Sequence, residues 1–152
     1  MKVASNESFI EWTVELHARL AEVFAAGEAI QTDERAKWLL EYLQQQEIRI
    51  GDMVEGFQDQ AAQNALDTQK YDWEAHTSVE IASLSDKPYG TMTYEEIAED
   101  VMVTHNQIIE LYRSMLARAS ISDEKKLLEA LVSVEEQETK QMSQSINRGR
   151  DM

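Results

Sequence analysis

The chain carries the same pair of segments twice. His17-x-x-Leu20-x-Glu22-Val23-Phe24 returns as His105-x-x-Ile108-x-Glu110-Leu111-Tyr112, and Leu39-Leu40-Glu41-x-Leu43-x-x-x-Glu47 returns as Leu127-Leu128-Glu129-x-Leu131-x-x-x-Glu135. Both matches stand at one offset, 88 residues (105 minus 17, and 127 minus 39). Two independent matches at a single offset are hard to obtain by chance, even where Leu and Glu are common. The physical reading is a duplicated unit whose copies are related by an approximate twofold axis.

Each unit reads as a helical hairpin. Apolar residues recur in steps of three and four, which places them on one face of a helix. The stripes are Ile10, Thr13, His17, Leu20, Phe24; then Ala36, Leu40, Leu43, Glu47, Ile50, Val54, Phe57; then Val101, His105, Ile108, Tyr112, Met115; and last Leu128, Leu131, Glu135, Glu138, Met142, Ile146. Capping residues mark the starts: Asn6 or Ser8, then Thr32 and Asp33, then a Thr93/Glu96 capping box, then Ser122 or Asp123. The first helix is expected to end near Gly27, the second near Ala65 and the third near Ala119, with the tail after Asn147 frayed. Only 5 Gly and 1 Pro occur in 152 residues, too few for the turns of an all-β chain. The expected fold is therefore all-α, a four-helix bundle of two hairpins in one domain over 1–152.

The hairpins are expected at about 6–65 and 94–147. The stretch between them, about 66–93, holds Asp67, Asp72, Asp86, Lys87-Pro88 and Gly90, with a short helix expected from Trp73 to Leu84. A connection that long suits a crossover along the bundle better than a tight turn.

Charge narrows the partners. Fourteen basic residues against 29 acidic ones give a net charge of −15. Such a surface repels phosphate backbones and anionic lipid, so nucleic acid and membrane are poor expectations and a basic protein patch is a better one. The plainer reading is an acidic surface that keeps the chain in solution. The chain has no Cys, which removes disulfides, thiol nucleophiles and iron–sulfur ligation. The N-terminal residues lack a signal-peptide core and no run reaches membrane-spanning length. A cytoplasmic protein is the default, with an exported chain whose signal has been removed as the alternative. No phosphate-cradling glycine loop and no serine triad is present.

Two hairpins, a long crossover and an internal twofold together resemble the ferritin-like superfamily, in particular its rubrerythrin-like members. That resemblance covers about 8–146. It implies an inward Glu seven residues before an aromatic on the first and third helices; the spacing survives here as His17/Phe24 and His105/Tyr112, with His in place of Glu. It also implies Glu-x-x-His on the second and fourth helices and six side chains holding two irons. Glu47 and Glu135 stand where those Glu residues belong, but Ile50 and Glu138 stand where the His residues belong. His17 and His105 occupy the places of Glu, so the usual di-iron set is not encoded. The rubredoxin-like module and the fifth helix of ferritin cages are also missing.

His17, Glu47, His105, Glu135 and Glu138 all lie on stripes that otherwise read as core. A buried carboxylate needs a cation. Two readings answer that need. Imidazole and carboxylate suit Fe, Mn or Zn, giving a non-standard metal site open to redox chemistry. Alternatively the site is a metal-free relict in which His and Glu satisfy one another, and the chain is an interaction module rather than an enzyme. No catalytic residue is assigned in either case.

Glu22 and Glu110 fall about 140° around their helices from the preceding His and read as surface, at about 100° per residue. His76, beside Trp73 and Glu74, reads as part of a packed surface segment, Gln44 to Gln46 as a solvated side, and the methionines as core filling. Trp12, Trp38 and Tyr42 lie off the stripes and are candidates for a homodimer face.

Overall fold

Local chemistry sets the helix starts. Ser5 caps the first helix in a reciprocal capping box with Ser8, and Thr93 does the same with Glu96. Asp33 accepts from the Ala36 amide at 2.8 Å. The computed structural model describes residues 5–67 and 81–151. The elements are α1 (Asn6–Ile30), α2 (Glu34–Gln60), the short α3 (Gln63–Asp67), α4 (Tyr94–Ala117) and α5 (Ser122–Arg150). Three-residue-per-turn segments at Ile81–Asp86 and Tyr89–Thr91 lead into α4. The four long helices pack as a bundle, with a long connection between α2 and α4.

Several boundaries differ from expectation. The second helix stops at Gln60, and the residues up to Asp67 form α3 instead of continuing it. The end of the expected crossover helix is the 3-10 segment Ile81–Asp86, while Trp73, Glu74 and His76 lie outside the described residues. The fourth helix has Ile121 at its cap with no side-chain bond, rather than Ser122 or Asp123. Glu124 turns inward instead and accepts from the Ser120 amide at 2.6 Å and from the Asn6 amide group at 2.7 Å. The same Asn6 nitrogen reaches the Ala65 carbonyl at 2.9 Å, so one buried pair joins α1, α3 and α5 at that end.

The C-terminal tail is helical to Arg150, not frayed from Asn147. The Tyr94 hydroxyl donates to the Ile146 carbonyl at 2.7 Å, Arg35 donates to the Gly149 carbonyl at 3.0 Å, and Arg150 pairs with Glu95 at 2.7 Å. These partners come from α2 and α4, which is why the last turn stays wound.

Burial reproduces the duplication in detail. The buried positions of α1 are 6, 9, 10, 13, 16, 17, 20, 21, 24 and 27, and each has a buried counterpart 88 residues on in α4. The buried positions of α2, from Ala36 through Leu43, Glu47 and Gly51 to Val54, likewise recur in α5. The core is therefore two copies of one face closed on each other.

The crossover is pinned where it enters α4. Gln31 donates through Nε2 to the Tyr89 and Met92 carbonyls at 3.0 Å, while its Oε1 accepts from the Thr32 and Asp33 amides at 3.1 Å. Tyr89 packs on Phe24 with centroids 4.9 Å apart. Gly27 permits this approach, because a Cβ there would stand 2.8 Å from the Tyr89 Cβ and 3.2 Å from the Gly90 nitrogen. No described helix is long and apolar enough to cross a membrane.

Gly27→Ala should therefore lower stability by about 1–3 kcal/mol, since the crossover must shift. Gly56, where an added Cβ would meet nothing within 4 Å, is the control. Gly56→Ala should raise stability by about 0.5–1 kcal/mol through helix propensity. Urea unfolding of the two variants checks both signs.

A buried histidine and glutamate ring

The inward stripes of the four long helices meet at one level of the bundle. α1 brings His17, α2 Glu47, α4 His105 and α5 Glu135, all four at 0 % exposure. His17 Nδ1 lies 2.6 Å from Glu47 Oε2, and His17 Nε2 lies 2.6 Å from Glu135 Oε1. His105 Nε2 makes a short contact to Glu47 Oε1, and His105 Nδ1 stands 3.7 Å from Glu135 Oε2. The imidazole rings are inclined at 29° with centroids 5.9 Å apart. The result is an alternating ring, His–Glu–His–Glu.

Its pattern follows the twofold. In each copy Nδ1 faces the Glu of its own hairpin and Nε2 faces the Glu of the other. The ring therefore joins the hairpins across both seams.

Donor counting fixes the protonation state. A neutral imidazole has one N–H, whereas both nitrogens of His17 face carboxylate oxygens at hydrogen-bond distance. His17 is therefore an imidazolium donating to both carboxylates. The count fixes His17 alone, since His105 has one nitrogen in hydrogen-bond reach. With the two carboxylates facing it His105 is held protonated as well, and the fully buried cluster then sums to zero charge.

The titration shifts agree. Burial by itself depresses His17, but the Glu135 charge and the hydrogen bonds to Glu135 and Glu47 outweigh it and raise the group to about 10. Burial opposes His105 in the same way, and Glu47 with Glu135 carries it up to about 9. Glu135, pushed up by burial, is brought down to about 2 by the His17 charge and by bonds to both histidines. Glu47 is lowered against the same opposition, chiefly by His105.

Glu138 is buried but does not join the ring. Its Oε1 lies 3.5 Å from Arg49 of α2, and its Oε2 has no hydrogen-bond partner. Of the five residues expected to share a site, four come together and one points to the α2 seam. Two tyrosines escaped the sequence reading as neighbours of the ring. The Tyr112 hydroxyl stands 3.5 Å from Glu135 Oε1, and burial followed by the Glu135 charge raises its titration well above the usual range. Burial first, then its bond to Asp100 at 2.5 Å and the Asp100 charge, and last the Glu47 charge, raise the Tyr89 hydroxyl above its usual range. Asp100 also holds Lys87 at 2.8 Å. The seven-residue spacing from His105 marked Tyr112 as an inward aromatic. Nothing in the crossover sequence marked Tyr89.

The donor types suit Fe, Mn or Zn, but the arrangement does not suit a shared ion. Ligands on one tetrahedral metal with bonds of about 2.1 Å stand roughly 3.4 Å apart. His17 stands 2.6 Å from each of its two carboxylates, a hydrogen-bond distance too short for two ligands of one ion. Among the described residues no three His, Asp or Glu side chains converge to hold a metal ion.

Removing one member should leave an uncompensated buried charge. Glu135→Gln is expected to cost about 3–5 kcal/mol. Replacing all four together (His17→Leu, Glu47→Met, His105→Leu, Glu135→Met) should cost less than that single change, or stabilise. Chemical denaturation of the two proteins decides.

The pH dependence has a definite sign. The histidines are raised from 6.5, so their contribution is complete below about pH 6.5 and is lost as pH climbs through about 9 and 10. The carboxylates are lowered from 4.5, so theirs is complete above about pH 4.5 and is lost as pH falls below it, for Glu135 toward about 2. Thermal unfolding should be highest between about pH 4.5 and 6.5, and the four-fold variant should flatten that profile on both sides. An unchanged profile would remove the ring as its cause.

Compared with protein-family models, with curated proteins and with solved structures, the chain matches none.

Proposed function

We propose that this chain is a divergent bundle of the ferritin-like type whose core site is held together by protons, and that it works as a metal-independent interaction module through its acidic outer surface. One observation carries the reading: both nitrogens of the buried His17 are occupied by carboxylates at 2.6 Å. An imidazole that donates from both nitrogens has no lone pair left for a metal. The net charge of −15 then points to a basic protein patch as the partner.

A second reading keeps the non-standard site for Fe, Mn or Zn, with redox chemistry available when such an ion is bound. What favours it is the open side of the ring. His105 Nδ1 and Glu135 Oε2 are buried without hydrogen-bond partners. In that reading His105 and Glu135 are the donors, while Glu47 and His17 orient them from behind.

Metal analysis separates the two. Protein purified without a His-tag and supplemented with Fe, Mn and Zn should retain well below about one tenth of an equivalent. Nitrogen-15 NMR at pH 7 should show His17 protonated at both ring nitrogens. Stoichiometric metal with loss of those protons would establish the second reading instead. The interaction role has its own check. In cells lacking the native gene, the four-fold ring variant should restore the phenotype provided it folds, and failure of a folded variant would overturn the module reading.

A further inference from the structure

The duplication supplies an internal control for the surface. Four large apolar side chains are exposed among the described residues: Ile30 (67 %), Trp38 (37 %), Ile48 (49 %) and Val103 (50 %). At the matching place in the other copy stand Arg118, Lys126, Glu136 and Glu15. Ile30 packs on Gly90 and Trp38 on Gly149, which accounts for their apolar character. Ile48 and Val103 sit on exposed helix faces at places where the other copy carries Glu, so the fold accepts a charge there.

Two of the four lie on one exposed line of α2. Trp38, Glu41, Gln45, Ile48 and Asp52 follow steps of three and four, and all are exposed. Trp38 stacks on Tyr42 with centroids 5.8 Å apart, forming a flat aromatic end to the line. Beside the line runs a shallow groove of about 730 Å³ whose lining includes Glu28, Ile48, Arg49 and Met53.

We infer that this face docks a second copy of the same chain, with the two α2 helices antiparallel about a twofold axis at Gln45. Charge order selects that register. When Gln45 meets itself, residues whose numbers sum to 90 lie at the same height. Glu41 then stands level with Arg49 of the second copy, and Ile48 level with Tyr42. Lys37 falls within about one residue rise, 1.5 Å, of Asp52 on the same side of the seam. Every charged pair appears twice, as an isologous contact requires. Moving the axis to Ile48 puts Glu41 against Glu55, and moving it midway between Gln46 and Glu47 puts Glu41 against Asp52, so both alternatives set like charges together. Arg49 already touches Glu138 through one guanidinium nitrogen, which leaves the others to face outward.

The line from Trp38 to Asp52 is about 21 Å long at 1.5 Å per residue. One helix face of that length covers less than the roughly 800 Å² per partner of a standard interface, so the dimer belongs to the weak, concentration-dependent class.

Sedimentation equilibrium of the full chain tests the proposal. The wild type should pass from monomer to dimer over the micromolar to millimolar range. Ile48→Glu and Asp52→Lys, which install residues that the other copy carries at these places, should each weaken the dimer at least tenfold without moving the thermal midpoint. Adding Lys37→Glu to Asp52→Lys should restore it. Because the chain has no Cys, Gln45→Cys should form a covalent dimer on oxidation, and Ser133→Cys, at the equivalent place in the other copy, should not. A wild type that stays monomeric, a dimer indifferent to Ile48→Glu, or equal cross-linking at both positions would overturn the proposal. Failure of the charge swap to restore association would overturn the register.

Discussion

Each imidazole of the ring lies between two carboxylates, one from its own hairpin and one from the other, and makes a hydrogen bond across to the other. His17 Nδ1 is satisfied by Glu47, but Nε2 reaches across to Glu135, and His105 reaches back to Glu47. A single hairpin would therefore bury an imidazolium with one donor unmade, or a carboxylate with no cation. Leaving such a group unpaired in the interior costs several kcal/mol, a large share of a domain's total stability. The two copies are thus complementary as well as similar: each is incomplete without the other, and the requirement is the same in both directions. That is a stronger constraint on the bundle than its apolar stripes, which can slide by a turn and still bury Leu against Leu.

The rest of the molecule holds the helices in the register the ring requires. At one end Asn6 and Glu124 tie α1 to α5 and to the carbonyl of Ala65. At the other, Gln31 clamps the crossover, and Tyr94 holds the last turn of α5. Phe9 meets Tyr112 edge to face at 5.3 Å, and Tyr112 in turn stands beside Glu135. Apolar contact and polar closure meet in that tyrosine, so its hydroxyl edge faces the charged cluster while its ring faces the core.

The fold was legible because it rests on periodicity and on a repeat, both of which are properties of the residue string. The stripes from Ile10 to Ile146 named the core, and the duplication put His17, Glu47, His105 and Glu135 together before any distance was known. Glu138 shows the limit. It stands three residues after Glu135 on the same stripe, yet its carboxyl meets Arg49, because an i, i+3 step carries a side chain about 60° around the helix and toward the α2 seam. The cap of α5 misled for a related reason. Ser122 and Asp123 have the right chemistry, but the buried demand of Asn6 for an acceptor turns Glu124 inward and ties it to the Ser120 amide. Tyr89 was hidden because its place depends on how the crossover lands on Gly27, and no local pattern encodes that.

Comparison of the two copies separates what folding needs from what it leaves open. Inside, the copies agree: every buried position of α1 and α2 is buried again in α4 and α5. Interior residues differ in polarity at several places: Ile50 against Glu138 and Phe24 against Tyr112 put the polar atom on the second copy's side, and Thr13 against Val101 puts it on the first. That asymmetry accompanies the 3.7 Å gap between His105 and Glu135, where the first copy has 2.6 Å. Outside, the copies diverge at the exposed apolar positions, each of which is matched by a charge in its counterpart. Ile30 and Trp38 also pack, on Gly90 and Gly149, but Ile48 and Val103 sit where the other copy holds Glu, so their apolar character is not set by the fold's own energetics. The distinctive chemistry of this chain, on that ground, is read on the outer face of α2 as much as in the ring beneath it.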